Sequence, residues 1–408
     1  MVIRDGSADW AADWAAGGTA ALTGRRAGPP LLPPGNAATT ARRLADVLRT
    51  ATDGRVDVDG AALLAERAAF TGHRRAGARS VGGSCRLLPT ADGWAAVSCA
   101  RPDDPLLLGA LVEQELPDDP WPAVAEWLRG HSGLELARRA ELLGVAAAPI
   151  ARPVGPSERP TGPARSVEGS LVVDFSALWA GPLCAHLLGL AGARVLKVET
   201  PTRPDGARSG HPGFYRLLHA GHRSVVLDPA EPTGRRAMAA LVEAADIVIE
   251  ASRPRALARF GLDAQSAVAA GTTWISITAA GRASDRVGFG DDVAASAGLL
   301  ARDADGPVFC GDAIADPLTG LTAAALAVTA PPDGALLDIS MSAVVAATLD
   351  EDPTVAPAAR RTRRGWVFDT SDGPVPVAPP RRRAVAGAAP ASGADTAAVL
   401  AELGVATR

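Results

Sequence analysis

The sequence contains almost no lysine. Lys197 is the only one, so the other 40 of its 41 basic residues are arginines. Any phosphate on a ligand would therefore have to be held by arginine, by backbone N–H groups or by helix ends. An arginine- and alanine-biased genome accounts for the scarcity, so it is not by itself a functional signal.

Cysteines and long apolar runs are also scarce. The four cysteines form no CxxC pair and have small or apolar neighbours. We therefore interpret them as core thiols in a reducing compartment. The first residues lack the apolar stretch of a signal peptide, and no run of 18 or more apolar residues indicates a membrane span. The sequence thus predicts a cytoplasmic protein.

Charge has little bias in either direction. The formal net charge is -4 and the isoelectric point is near 5.9, so neither nucleic acid nor an anionic membrane is an expected partner. The strongest basic patch, at residues 360–364, lies beside Pro- and Ala-rich sequence and indicates a solvated tail. The length of 408 residues allows two or three domains.

From Leu171 onward, short apolar runs that are typical of buried parallel strands alternate with helical patterns. The predicted strands are 171–175, 193–199, 246–250, 272–278 and 335–340. This order predicts an α/β fold with a doubly wound, mostly parallel sheet, in which ligands bind at the carboxyl ends of the strands. A smaller α+β domain is expected before it, followed by a Pro- and Gly-rich linker at 153–168.

The glycine fingerprints that bind phosphates in such sheets are absent. The turn after the first strand is FSALWAGP, and neither G-x-G-x-x-G nor G-x-x-x-x-G-K-[ST] occurs in the chain. The sequence therefore disfavours a nucleotide-dependent oxidoreductase, such as an NAD-dependent dehydrogenase, and a P-loop NTPase.

Several stretches together resemble the class III CoA-transferases, the CaiB/BaiF-like family of formyl-CoA and carnitine CoA-transferases and α-methylacyl-CoA racemases. VVDFSALWAGPLCAHLLGLAGARVLKVE (172–199) resembles the opening strand, Ala-Gly-Pro turn, helix and second strand of that family. GDAIADPLTGLTAAALA (311–327) resembles the segment that holds its catalytic aspartate. The resemblance covers roughly residues 171–340 and implies a Rossmann-like CoA-binding domain in an interlocked dimer.

The order of the domains resembles a permutation of the family pattern. RSVGGSCRLLPTADGWAAVSCARPDD (79–104) resembles the start of the small domain, which normally follows the aspartate segment. Residues 11–43 resemble a degenerate aspartate segment, with Asn36 and Ala37 where the acid would fall. The implied domains are a degenerate region (1–75), a small domain (76–152), the linker (153–168), the CoA-binding domain (169–348) and a tail (349–408).

The resemblance implies that Asp316 is the catalytic nucleophile. In the family, CoA moves from an acyl thioester to a free carboxylic acid through an anhydride and an aspartyl-CoA thioester. Asp followed by Pro is also an ordinary helix N-cap, and the two interpretations are compatible. Backbone N–H groups of Gly82 and Gly83 are candidate oxyanion donors, although a Gly-Gly pair also fits a simple hairpin turn. If the permutation is correct, this turn should lie near Asp316.

CoA itself is the expected substrate, and no permanently bound cofactor or metal is expected. The family positions for CoA binding map onto Leu178, Trp179, Ala180, Arg223, Ser252, Arg259 and Phe260. Arg223 and Arg259 fit phosphate contacts and equally fit surface charges. Trp179 is consistent either with a side chain that contacts the ligand or with one that fills the apolar core. Formyl-CoA transferases have Gln at the position of Trp179, Asn at Ala251 and Arg at Thr200, so oxalate is not the expected acid. Arg203 or Arg208 could replace the missing arginine.

Two alternatives stay open at this point. A racemase needs an acid/base pair on opposite faces of a carbon. The racemases of the family have a histidine in a Gly-His-Asp stretch, where this chain has Val287-Gly288-Phe289-Gly290. A non-catalytic CoA-binding subunit is the second alternative, because the acid is already missing from the degenerate segment. The expected partners are an acyl-CoA, a carboxylic acid and a second copy of the chain in a homodimer, with a heteromeric partner as the alternative.

Overall fold

The structure is a computed structural model and describes residues 10–151, 157–252, 254–349 and 356–405. The start of the predicted linker, at 153–156, therefore lies outside the described residues. Short 3-10 helices occur at Ala20–Leu22 and Gly206–Ser209. The α-helices in the described residues are α1 (Trp10–Gly17), α2 (Ala37–Ala51), α3 (Gly60–Leu63), α4 (Glu66–Thr71), α5 (Asp104–Val112), α6 (Trp121–Arg129), α7 (Gly133–Leu143), α8 (Ala180–Leu190), α9 (Pro212–His219), α10 (Pro232–Ala244), α11 (Pro254–Ala258), α12 (Ala264–Ala269), α13 (Gly290–Ser296), α14 (Ala315–Ala327), α15 (Met341–Ala346) and α16 (Thr396–Glu402).

The strands form one large sheet and three small ones. They are β1 (Cys85–Pro89), β2 (Trp94–Ser98), β3 (Ala147–Pro149), β4 (Leu171–Asp174), β5 (Arg194–Glu199), β6 (Arg223–Val226), β7 (Ile247–Glu250), β8 (Thr273–Thr278), β9 (Leu300–Asp303), β10 (Gly306–Phe309), β11 (Ala335–Ser340), β12 (Ala359–Thr362), β13 (Gly365–Thr370) and β14 (Gly373–Pro376). The large sheet has the order β11-β8-β7-β4-β5-β6, and every neighbouring pair in it is parallel.

The predicted α/β fold class is confirmed. The chain enters the sheet at β4, proceeds outward to β6, and then returns to build β7, β8 and β11 on the other side. This is the strand order of doubly wound dinucleotide-binding sheets, with a switch point between β4 and β7. The five predicted strands all occur within one residue of their predicted bounds. The edge strand β6 was not predicted, because RSVV is short and carries a polar residue in an apolar run.

Helix α14 is the central helix beside the large sheet. Its alanines and glycine permit close packing, and a Cβ on Gly320 would lie 2.4 Å from the carbonyl oxygen of Ala180 in α8. The N-terminal helix α2 also packs on α14. The buried side chains of α1 and α2 belong to the same apolar core as α8 and α14.

The small sheet β1-β2-β3 is antiparallel and packs with α5, α6 and α7 around a separate apolar core. This sheet and its helices form the predicted α+β unit, and the unit contacts α13 through β2 and β3. Ser98 at the end of β2 donates a hydrogen bond to Asp292 in α13, with an Oγ to Oδ1 distance of 2.8 Å. The small unit thus packs on the large one within the same chain.

The C-terminal region is more ordered than the composition indicated. Strands β12, β13 and β14 form an antiparallel sheet whose Phe368 is fully buried against the main core. The arginines of the basic patch are exposed on the β12–β13 hairpin, as expected for solvated charges. All four cysteines are free thiols, and no described helix is long and apolar enough to cross a membrane.

Candidate active site

Asp316 lies in the first turn of α14, one residue inside the helix. The N-cap position is occupied by Ile314, so the interpretation of Asp316 as an ordinary N-cap is wrong. The preceding Ala313 has a left-handed backbone with φ of 47°, and its carbonyl accepts the N–H of Asp316 at 2.9 Å. The carboxylate therefore projects from the amino end of a helix, where the helix dipole favours negative charge.

Three other carboxylates surround Asp316. They are Asp291 and Asp292 in α13, and Asp312 in the loop before α14. Asp291 accepts the backbone N–H of Ala313 at 2.8 Å, which ties the loop to α13. Burial raises the pKa of Asp291 and of Asp292 to about 6. We call these four residues the aspartate cluster.

The pKa of the Asp316 carboxyl group is raised from 3.8 to about 7. Burial is the largest cause, because protein atoms surround the carboxylate although the residue keeps partial exposure. The neighbouring charges of Asp291, Asp292 and Asp312 raise the pKa further, and the Arg67 guanidinium opposes them. A carboxyl group with this pKa titrates in the neutral range, as catalytic groups often do.

Gly290 packs directly against the Asp316 carboxylate. A Cβ on Gly290 would lie 2.6 Å from Oδ2 of Asp316 and 2.4 Å from the carbonyl oxygen of Ala313. Both distances are too short for carbon–oxygen contact, so glycine is required here for steric reasons. The absence of a side chain at Gly290 therefore leaves the space that the Asp316 carboxylate occupies.

Arg67 in α4 is the cation of the site. Its Nε donates to Oδ2 of Asp312 at 3.0 Å, and its Nη2 donates to Oδ1 of the same carboxylate. The guanidinium also lies over the Trp179 ring, 5.1 Å from the ring centroid. Burial lowers the pKa of Arg67, but the charges of Asp312, Asp291 and Asp316 raise it above its ordinary value. Sequence reasoning missed this residue, because nothing local in LLAERA indicates that its arginine reaches residues about 245 positions later.

The Gly82–Gly83 turn lies beside Arg67. A Cβ on Gly82 would stand 3.4 Å from Nη2 of Arg67. Gly83 has φ of +87° and donates its N–H to the carbonyl of Ser80 at 2.9 Å, so the pair also forms the turn before β1. Within the described part of the chain, the N–H of Gly82 has no backbone partner. The structure thus brings the turn next to the cation of the aspartate cluster in the same chain.

Leu178, Trp179 and Ala180 follow β4 at the carboxyl edge of the sheet. Leu178 has φ of +70°, is 42% exposed, and donates its N–H to Oδ1 of Asp205 at 2.9 Å. Trp179 is 2% exposed and packs edge-on against Phe214 at 5.2 Å between centroids. Of the two interpretations of Trp179, the structure supports a core position, which leaves Leu178 as the exposed side chain of this turn.

Lys197 organises the loops at this edge. Its Nζ lies 3.1 Å from Asp205 and 3.4 Å from Asp174, and it donates to the carbonyl of Ser176. The only lysine of the chain is therefore a buried cation that is paired within the fold. Arg208 is similarly engaged, because its guanidinium pairs with Glu199. Arg203 is exposed and forms no ion pair among the described residues.

The remaining residues inferred from the family do not converge on the aspartate cluster. Arg223, on the edge strand β6, forms two hydrogen bonds with Glu402 of α16, at 2.8 and 3.0 Å. Ser252 follows β7, and its Oγ is buried without a hydrogen-bond partner in the described residues. Arg259 is exposed, and Phe260 packs on the apolar core below α12.

Known proteins provide an independent comparison. The chain is 32% identical over 176 residues to the succinate–glutarate CoA-transferase of Agrobacterium fabrum. This alignment covers 38% of this chain and 44% of that protein. It is 31% identical over 105 residues to the formyl-CoA:oxalate CoA-transferase of Afipia carboxidovorans, and this alignment covers 24% of this chain and 25% of that protein. The chain therefore spans less than half the length of these relatives.

A solved structure of a CAIB/BAIF family protein from Brucella suis covers 50% of this chain and 66% of that chain, with 24% identity and a TM-score of 0.45. The sequence model of CoA-transferase family III matches residues 167–402. This match includes the whole large sheet, α13 and α14, and spans more than half of the 408 residues. The chain belongs to CoA-transferase family III.

Proposed function

We propose that the protein transfers CoA between an acyl-CoA thioester and a free carboxylic acid, with Asp316 as the covalent acceptor. The observation that carries this proposal is the position of Asp316, in the segment that resembles the family's aspartate segment and at the amino end of α14. Its pKa of about 7 leaves a substantial ionised fraction near neutral pH, and only the ionised carboxylate attacks.

The reaction then proceeds by covalent catalysis. The Asp316 carboxylate attacks the thioester carbonyl, the carbon–sulfur bond breaks, and CoA leaves as the thiolate from an acyl-aspartyl anhydride. The thiolate attacks the aspartyl carbonyl of the anhydride and releases the first carboxylic acid as its anion. The resulting aspartyl-CoA thioester is attacked by the incoming carboxylate, and the same steps run in reverse to form the new acyl-CoA.

Each tetrahedral intermediate places negative charge on an oxygen that needs a donor. Gly82 is the best-placed of the two glycines, because the Gly83 N–H already serves the Ser80 carbonyl. For CoA, the contacts we favour are Leu178, Arg203 and Arg259, which are exposed and lie in the segments that follow β4, β5 and β7. Arg223 would bind a phosphate only by exchanging its carboxylate partner in α16.

The small domain packs on α13 in the same chain, which supports a site assembled in cis from a permuted sequence. The homodimer, the permutation and the heteromeric alternative stay predictions. Light scattering at micromolar concentrations, which measures the mass of the particle in solution, distinguishes a monomer of 41.4 kDa from a dimer.

The direct test of the proposed function is chemical trapping. The protein is incubated with a panel of acyl-CoAs, treated with hydroxylamine, and digested for peptide mass spectrometry. A hydroxamate at Asp316 with at least one acyl-CoA is the expected result, and Asp291→Asn should still form it. The variant Asp316→Asn should form none. If CoA binds but no acyl-CoA gives an adduct, the proposed transferase function is wrong. Exchange of an α-proton of the acyl group with deuterated water would then identify a racemase, and the absence of exchange would identify a non-catalytic CoA-binding subunit.

A further inference from the structure

We propose that Arg67, contributed by the degenerate N-terminal region, is a positioning residue that holds the aspartate cluster in its reactive arrangement through its pair with Asp312. The inference rests on the proposed role of Asp316. It assigns a function to a region whose own counterpart of the aspartate is missing.

The contacts of Arg67 reach three separate elements. Its guanidinium holds both oxygens of Asp312, which is fully buried four residues before Asp316. Its face lies on Trp179 at the start of α8, and its Nη2 borders Gly82 of the small domain. A bidentate guanidinium fixes both the position and the orientation of a carboxylate. Arg67 therefore fixes the loop from which α14 begins.

The loop that Arg67 holds is constrained on its other side as well. Ala313 adopts the left-handed backbone, and its N–H is bound by Asp291. Asp312 and Ala313 thus anchor the chain at two points just before the first turn of α14, where the Asp316 carboxylate lies against Gly290. Loss of the Arg67 pair would release one of the two anchors of this turn.

The charges around Asp316 also indicate a role for Arg67. The groups that face Asp316 are Arg67 from α4, Asp291 and Asp292 from α13, and Asp312 from the loop before α14. Arg286 adds a second cation, which acts on Asp292. Arg67 is thus the cation that acts on Asp316 itself, and it also counters Asp291 and Asp312. Without it, Asp316 should ionise only at higher pH.

The test measures the titration of Asp316 without requiring turnover. Aspartate labelled with 13C at the side-chain carboxyl is incorporated, and the Asp316 resonance is assigned by its absence in Asp316→Asn. Arg67→Gln should raise the titration midpoint by about one pH unit or more. Asp312→Asn should lower it, and Arg67→Lys should stay close to the wild type because it keeps the charge.

Arg25 provides a matched control, because it forms the same two-bond pair with Asp303, at 2.7 and 3.0 Å. Arg25→Gln should leave the Asp316 midpoint unchanged. If the Arg67→Gln protein does not fold, the double variant, which carries both Arg67→Gln and Asp312→Asn, is compared with the single variant Asp312→Asn. The double variant leaves no unpaired charge at position 312. The titration midpoint of Asp316 in it should be about one pH unit higher than in Asp312→Asn.

A midpoint that stays within about 0.3 units of its reference in folded Arg67→Gln, alone or combined with Asp312→Asn, would overturn the inference. Adduct formation provides the second readout. In Arg67→Gln it should fall about tenfold near neutral pH. The part of this loss that comes from the higher pKa of Asp316 should recover at higher pH, and the part that comes from the released turn should not. A general folding defect would show no recovery. Absence of adduct in the wild type would reject the proposed function, while the titration would still decide the role of Arg67.

Discussion

Ser98 and Asp292 are 194 positions apart in the chain and form a buried hydrogen bond of 2.8 Å. Ser98 ends β2 of the small domain, and Asp292 lies in α13 beside the candidate nucleophile. The same Oδ1 accepts the backbone N–H of Phe289 at 2.9 Å. One carboxylate thus joins the small domain to the amino end of the helix that borders the site.

Ser98→Ala should lower the free energy of unfolding by about 1–3 kcal/mol, because it removes one of the donors to a buried carboxylate. Urea denaturation monitored by circular dichroism measures the change. Ser209→Ala, at an exposed position, is the control and should change stability by about 0.5 kcal/mol or less. Equal stability of both variants would contradict a role for this bond in docking the small domain.

Gly290→Ala should abolish adduct formation and lower the free energy of unfolding by about 1–3 kcal/mol, because the added methyl group overlaps Asp316 and Ala313. Hydroxylamine trapping and urea denaturation test the two effects separately. The control is Gly93→Ala, since a Cβ there would have 4.0 Å of clearance from its nearest neighbour. An active Gly290→Ala protein would show that Asp316 does not occupy the position described here.

Asp316→Asn should stabilise the protein at slightly alkaline pH. The fold raises the pKa of Asp316 from 3.8 to about 7, so the stabilising effect of this group is present in acid and is lost as the pH rises through 7. The free energy of unfolding of the wild type should therefore be lower than that of Asp316→Asn by roughly 2–4 kcal/mol at alkaline pH. The difference should disappear towards pH 4. Denaturation curves of both proteins across this range measure it, and a constant difference would contradict a raised pKa.

Three buried histidines should make the protein sensitive to acid. Burial lowers the pKa of His186 and of His222 from 6.5 to about 3, and it lowers the pKa of His219 even more strongly. Their contribution to stability is present above pH 6.5 and is lost as the pH falls, at about 1.4 kcal/mol per pH unit for each histidine.

His186→Gln should therefore make the loss of stability between about pH 6.5 and 4 less steep, whereas the exposed His73→Gln should not. Urea denaturation at closely spaced pH values provides both slopes. Identical slopes in the wild type and His186→Gln would mean that His186 accepts a proton in the folded state.

The histidines and the aspartate cluster act in opposite directions. The histidines lower the stability of the fold as the pH falls below about 6.5. The carboxyls with raised pKa, Asp291, Asp292 and Asp316, lower it as the pH rises from about 4 to about 6 or 7. The two effects together predict a maximum of stability in the slightly acidic range. A maximum at clearly alkaline pH would contradict the raised pKa values of the carboxyls.

Local sequence was sufficient for five of the six strands of the large sheet. A strand such as IVIE is buried on both faces and has few other conformations available to it, so its pattern is visible in a short window. The helix 232–244 was predicted with its bounds for a related reason, because Pro232 provides a favourable first helical residue. The hairpin at 359–376 was missed, because its one fully buried side chain, Phe368, depends on the distant core that covers it.

The sequence by itself determined the family, the α/β fold and the choice of Asp316, because these depend on short motifs and on the order of apolar segments. The tertiary structure alone decided what surrounds Asp316. Arg67, Ser98 and Asp292 carry no local signal, and they meet only when segments about 190 to 250 residues apart pack together. The burial that raises the pKa of Asp316 and the close approach of Gly290 arise from the same long-range packing, which no local pattern specifies.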